Sequence, residues 1–294
     1  MDITTEIREF LVTRRARITP EQAGLPVFQG HRRVPGLRRE EVAMLAGVSV
    51  DYYVRLERGH LSGVSEGVLE ALSRALQLDD VERMHLFDLA RTANASVGTR
   101  RPATSNRIRP SVQRLLDAIG APAWVRNNRT DFLASNVMGR ALYSQIFFDP
   151  ARQANSTRFA FLDPRAVDFW PDWDRIASDS VATLRQEAGR NPFDKGLTDL
   201  IGELSTRSEA FRVRWAAHDV HQHRAGIKRM NHPVVGEMEL TYEAMELRQD
   251  PGLTLLTYTA EPDTVSADRL RLLESWAASE DVAARAVAAA GPAS

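Results

Sequence analysis

From Leu37 to Gly59 the chain reads LRREEVAMLAGVSVDYYVRLERG, its sharpest grouping of side chains by type and spacing. Tyr53 and Leu56 stand three apart and share the inner face of a helix, which leaves Val50, Asp51, Tyr52 and Arg55 on the outer one. An exposed arginine on such a face can grip guanine O6 and N7 with two parallel hydrogen bonds, and an aspartate can accept from cytosine N4. Other uses compete. Arg55 can meet a phosphate or a glutamate of its own chain, and Asp51 can simply favour the positive end of its helix. Ala43 is small where two helices would cross, and Gly47 suits a left-handed helix end. Val48 fills the core behind that turn, and Ser49 can cap the next helix. A helix, a three-residue turn and a second helix with a polar outer face form the geometry that enters a DNA major groove. An ordinary helical hairpin has the same outline.

Two further groupings lie downstream. His218, His221, His223 and His232 fall within 15 residues, beside Asp219. Imidazoles at that density can hold zinc, but no Glu-x-x-His pair and no two histidines four apart support it, and no metal site is expected. A polar network of His218, His232 and Glu237 is expected instead, with His218 a candidate for effector contact. All five tryptophans (124, 170, 173, 215 and 276) and most phenylalanines lie beyond residue 100. Trp124, Phe132, Phe159, Phe161, Trp170 and Trp215 either line an apolar cavity or simply build the core. No catalytic residue is expected, because G-x-S-x-G, G-x-x-x-x-G-K and G-x-G-x-x-G are all absent. The absence of cysteine excludes disulfides, thiolate metal sites and a thiol nucleophile.

Positioning these groups takes two domains, in keeping with 294 residues. Helical periodicity runs through the first 91 residues: Ile3, Ile7, Phe10, Leu11 and Arg14; Val42, Leu45 and Ala46; Tyr53 and Leu56; Val68, Leu69, Leu72, Ala75 and Leu76; Val81, Met84, Leu86, Phe87 and Leu89. The expectation is an all-α domain of five helices over 1–91. Residues 92–106, small and polar, read as a linker. Beyond it, 122–127 and 130–136 read as short strands, 137–147 as a helix, and 173–218 as two helices broken at 189–195. Alternation over 236–247 predicts another strand, 253–259 reads as a further one reached through a turn at 249–252, and 267–278 as a last helix. The second domain, 107–280, is therefore an α+β fold with an antiparallel sheet, followed by an Ala-rich tail over 281–294. Formal charge divides unevenly, with +3 in residues 1–110 and −4 in the rest. A polyanion suits the first part only. No apolar run is long enough for a membrane span and none follows a basic start, so a cytoplasmic, membrane-free location is expected.

The segments EEVAMLAGVS and LERG resemble the Cro/C1-type (xenobiotic-response-element) helix-turn-helix regulators over roughly residues 5–90. Carried across residue by residue, the resemblance makes Val50, Asp51 and Arg55 base-facing and Arg39, Ser49 and Tyr52 backbone contacts. The chain departs from that family in two places. Arg38 stands where a Ser or Thr cap is usual, and about 20 residues (18–37) separate the first helix from the motif. This insert carries His31, Arg32 and Arg33; with Arg38, its arginines are candidates for the DNA backbone, unless the insert packs on the first helix. Further strings in order, WAAHDV, GIKR, NHPVVGEMEL, TYEAMEL and YTAEP, resemble the MmyB-like regulators. That resemblance implies a PAS-like ligand-binding second domain, His218, Lys228 and His232 as signature residues, no cofactor, and a small apolar, fatty-acid-like effector. A homodimer on an inverted-repeat double-stranded operator is expected, because one helix in one groove rarely gives adequate specificity. The competing expectation is a second domain that only dimerises or recruits a partner.

Overall fold

Ile7, Phe10, Leu11 and Arg14 recur on one helical face, and in the computed structural model that face of α1 (Ile3–Arg17) is buried. Residues 3–25, 34, 36–94, 107–147, 152–217 and 225–290 are described; Arg32, Arg33, His218, His221, His223 and most of the expected linker lie outside them. Four more helices follow: α2 (Arg39–Ala46), α3 (Val50–Glu57), α4 (Glu66–Ala75) and α5 (Asp80–Asn94). Val42, Tyr53, Leu56, Leu72, Leu86 and Leu89 from these helices join Ile7 and Phe10 in one core. The first helical region is all-α, as its periodicity predicts.

The second region runs α6 (Pro110–Ala118), β1 (Ala123–Asn127), β2 (Phe132–Ser135), α7 (Val137–Leu142), α8 (Ser156–Leu162), α9 (Ala166–Phe169) and α10 (Trp173–Arg190). It continues with α11 (Lys195–Arg207), α12 (Glu209–Ala216), β3 (Ala225–His232), β4 (Gly236–Glu246), β5 (Leu253–Thr259) and α13 (Val265–Ala290). Several elements differ from expectation. The helix after β2 stops at Leu142, and α13 runs well past residue 278. Residues 173–217 form three helices, because Ser208 ends α11 and its Oγ caps Phe211 N–H at 3.2 Å. A fifth strand, β3, has a sequence (AGIKRMNH) without clear alternation of apolar and polar residues.

The sheet order is β2-β1-β5-β4-β3, antiparallel throughout. Residues directly opposed across antiparallel strands share a face. One face carries Ala123, Val125, Leu253 and Leu255 and packs on Val112 and Leu116 of α6. The other carries Trp124, Arg126, Leu256, Tyr258, Tyr242, Leu240, Lys228 and Met230.

The chain divides into two compact units, residues 1–101 with 181–222 and residues 102–180 with 223–294. The first unit thus takes in more chain than the 1–91 segment set out from periodicity, because α11, α12 and the second half of α10 join it. Its core is tied by charge: Arg185 Nη1 donates to Glu6 Oε1 at 2.5 Å with both side chains buried. Arg190 Nε meets Asp88 Oδ2 at 2.8 Å, and Thr92 Oγ1 donates to the Gly189 carbonyl at 2.9 Å. A Cβ at Gly189 would stand 2.7 Å from the buried His85 ring, so only glycine fits this crossing.

Candidate functional site

The turn between α2 and α3 is built as its residues require. Gly47 takes φ 66°, and its N–H bonds the Met44 carbonyl at 3.1 Å while Val48 N–H reaches Ala43 at 2.9 Å. A side chain would be strained in that left-handed conformation. Ser49 Oγ accepts the Tyr52 N–H at 3.2 Å and so satisfies one of the free donors of α3. The Arg38 position, without a hydroxyl cap, is completed from the other side: the Glu41 carboxylate accepts the Arg38 backbone N–H at 2.6 Å. Arg38 Nη1 also meets Glu40 at 3.3 Å.

Tyr53 and Leu56 are fully buried, and Val50, Asp51 and Arg55 are exposed with Tyr52 half-buried beside them. This separation of inner and outer faces follows the expected pattern. The Arg55 side chain makes no hydrogen bond or ion pair among the described residues, so its guanidinium is open for an external partner. Arg39 is engaged differently. Its Nε donates to Glu57 Oε1 at 2.7 Å, although 54% of the side chain stays exposed. Glu57, 2% exposed, also receives Arg15 Nε at 2.6 Å and Arg15 Nη2 at 3.1 Å. Arg15 Nη1 reaches the Leu37 carbonyl at 2.9 Å. Burial pushes the Glu57 carboxyl up, but hydrogen bonds from Arg15 and Arg39 outweigh it and hold it below its ordinary range. One carboxylate thereby fixes the end of α3 to α1 and α2.

In the other unit the structure gathers four of the expected aromatic residues. Trp124 stacks on Phe132 with centroids 3.7 Å apart, and both meet Tyr143 edge-on at 5.4 Å. Phe159 and Trp170 meet at 5.3 Å, and Phe169 links them to Tyr143 at 6.0 Å. Phe161 is turned to Trp173, at 6.0 Å. Trp215 is not part of this cluster: it belongs to the first unit, where it stacks on Phe211 at 5.5 Å and lies under the Arg185 guanidinium at 4.0 Å.

His232 likewise has a structural partner other than Glu237. Its Nδ1 accepts the Val234 and Val235 N–H groups at 3.2 and 3.4 Å, so the proton sits on Nε2 and is donated to the Ala141 carbonyl at 3.0 Å. Burial lowers its pKa and keeps the ring neutral. Sequence reasoning did not select Arg126, Tyr143, Tyr242 and Tyr258 for the site, and named Lys228 only through the resemblance. Tyr143 Oη and Tyr258 Oη share a hydrogen bond of 2.7 Å, and Lys228 Nζ lies 4.6 Å from the Tyr242 ring and 5.9 Å from that of Tyr258. Lys228 is one of only two lysines in the chain, a compositional signal that marks it out.

Among the described residues no helix is long and apolar enough to cross a membrane. No curated protein matches the chain. Residues 12–86 match a helix-turn-helix domain model, and residues 108–273 match the model of the MmyB-like transcription regulator ligand binding domain. The second match covers more than half of the chain, and its segment contains the whole antiparallel sheet. The chain belongs to the MmyB-like transcription regulator ligand-binding-domain family and joins that domain to an N-terminal helix-turn-helix.

Proposed function

We propose that this DNA-binding transcription regulator reads an inverted-repeat operator as a homodimer through Val50, Asp51 and Arg55, and responds to a small apolar, fatty-acid-like effector. Tyr52, Ser49 and Arg38 would meet the DNA backbone. Arg39 would act there only with the part of its guanidinium that Glu57 leaves open. The observation that carries the DNA half is the outer face of α3, where an unpaired Arg55 stands on a helix whose inner face is locked into the core. The sensing half rests on the sheet face that joins Trp124, Tyr242 and Tyr258 to Phe159, Phe169 and Trp170 of the covering helices. A domain with these residues holds an apolar molecule by area and a polar end by a few placed groups.

Direct ring-on-ring packing, such as the 3.7 Å stack of Trp124 on Phe132, favours the second reading, in which the domain is a closed dimerisation module. Organic extraction of the purified full chain followed by mass spectrometry separates the two. A stoichiometric apolar molecule supports the sensor. An empty extract, with no thermal shift from added acyl chains, supports the module.

A further inference from the structure

Arg55 stands in the last turn of α3, and the chain leaving that turn is fixed at three points within the first unit. His60 N–H bonds the Arg55 carbonyl at 3.3 Å, so the path of the α3–α4 loop sets the end of the helix that carries Arg55. Gly59, at φ 97°, runs so close to α1 that a Cβ would stand 2.3 Å from the Thr4 carbonyl. At the far side of the loop, Asn94 Oδ1 accepts the Gly63 N–H at 2.7 Å and the Ser62 hydroxyl at 3.4 Å. Asn94 is the last residue of α5, where a helix has carbonyls without helical donors and ordinarily frays. Three bonds hold the end of α5. Asn94 Nδ2 donates to the Ala90 carbonyl at 2.9 Å. Thr92 Oγ1 donates to the Gly189 carbonyl at 2.9 Å, and Asp88 Oδ2 receives Arg190 Nε at 2.8 Å. Gly189 and Arg190 close the second half of α10, within the segment that matches the ligand-binding-domain model, and Asn94 lies beyond the segment that matches the helix-turn-helix model.

We infer that Asn94 is a positioning residue for operator reading and that α10 holds it in place. α10 orders the end of α5, Asn94 orders the α3–α4 loop, and the loop orders the turn of α3 that carries Arg55. This rests on the reading of α3 proposed above and holds whatever fills the sheet face. A surface hydrogen bond contributes little when its bearer must first be ordered. Thr92 and Asp88, bonded to α10, do that ordering in advance, so the bond from Gly63 to Asn94 keeps its full effect on the loop.

The test measures binding of the full chain to its selected operator by fluorescence anisotropy, with amide hydrogen exchange over residues 58–65 as a second readout. Asn94→Leu should weaken binding by about three- to tenfold, the worth of one such hydrogen bond. Asn94→Asp keeps the acceptor and should stay near wild type. Thr92→Val with Arg190→Leu detaches α5 from α10 while leaving Asp88 its Arg91 partner, and should cause a similar loss. Adding Asn94→Leu to that pair should cost little more, because both changes act through one bond. Exchange over 58–65 should rise alike in Asn94→Leu and in the Thr92–Arg190 variant, although neither Thr92 nor Arg190 lies in that stretch. Thermal unfolding followed by circular dichroism establishes that each variant is folded, and Thr92→Val alone replaces the pair if the pair unfolds. Unchanged binding by Asn94→Leu, an aspartate as weak as the leucine, or additive losses would overturn the positioning and leave the reading of α3 standing. Unchanged binding by Arg55→Ala would overturn that reading as well.

Discussion

Removing the Glu57 carboxylate should loosen the DNA-reading helix. Glu57 is 2% exposed and is shared by Arg15, 13% exposed and bound through two nitrogens, and by Arg39, 54% exposed and bound through one. The Arg39 pair is screened by solvent and is worth about 0–1 kcal/mol. The Arg15 pair is largely shielded, and breaking it strands a guanidinium between α1 and α3, a cost of roughly 2–3 kcal/mol. Glu57→Ala should therefore lower the stability of the helical unit by about 3 kcal/mol. A double-mutant cycle by urea unfolding of the full chain should give a coupling of about 2 kcal/mol for Arg15 with Glu57 and under about 1 for Arg39 with Glu57. The acid limb gives an independent check. A carboxyl held below its ordinary pKa contributes stability that is present above the unfolded value and lost as pH falls through the folded one. Glu57→Gln should flatten stability against pH below the usual carboxylate range. Equal couplings for the two arginines, or an unchanged acid limb, would refute a buried hub and leave only surface pairing.

Arg55→Ala should cost about 1–3 kcal/mol at the selected operator and relax base preference at one position, whereas Arg39→Ala should weaken all sequences alike; binding to a randomised site library separates them. His85 is held neutral by burial, with its pKa lowered to about 4. Its unfolded form takes up a proton first, so as pH falls from about 6.5 towards 4 the fold should lose roughly 3 kcal/mol, a slope that His85→Gln should remove from urea midpoints. Arg185→Met removes the 2.5 Å partner of the buried Glu6 carboxylate and should destabilise the first unit by about 3–5 kcal/mol. A chain ending at Ala95 loses both Arg185 and Arg190 and should melt well below the helical unit of the full chain. Equal melting would mean that residues 181–217 contribute nothing to it.

Much of the first region was legible in the sequence because each position there answers a local demand. Gly47 needs φ 66°, Ser49 caps its own helix, and Tyr53 with Leu56 repeat at helical spacing. β4 was legible because alternation marks a sheet with two different faces, and β1, β2 and β5 were legible as short runs flanking turns. β3 was not, because AGIKRMNH spends its alternate positions on Gly226, Lys228, Met230 and His232, and only one of those four is apolar. The charged positions that matter were hidden for a related reason. Arg126 and Lys228 are 102 residues apart in sequence and share one sheet face only through the order β1-β5-β4-β3. Glu6 and Arg185 are separated by 179 residues and become partners because α10 extends into the helical unit. Trp215 is similar: its aromatic character was visible in the sequence, but its packing on Phe211 and Arg185 was not.

The most direct measurement is a fluorescence-anisotropy titration of the delipidated full chain against its selected operator, without decanoate and with decanoate at saturation of the tryptophan signal. A regulator whose sheet-face ligand acts on its DNA-reading helices should show Kd shifted by about fivefold or more between the two titrations, with Arg55→Ala weakened in both. An identical Kd at demonstrated saturation, or equal affinity for operator and scrambled DNA, would contradict it.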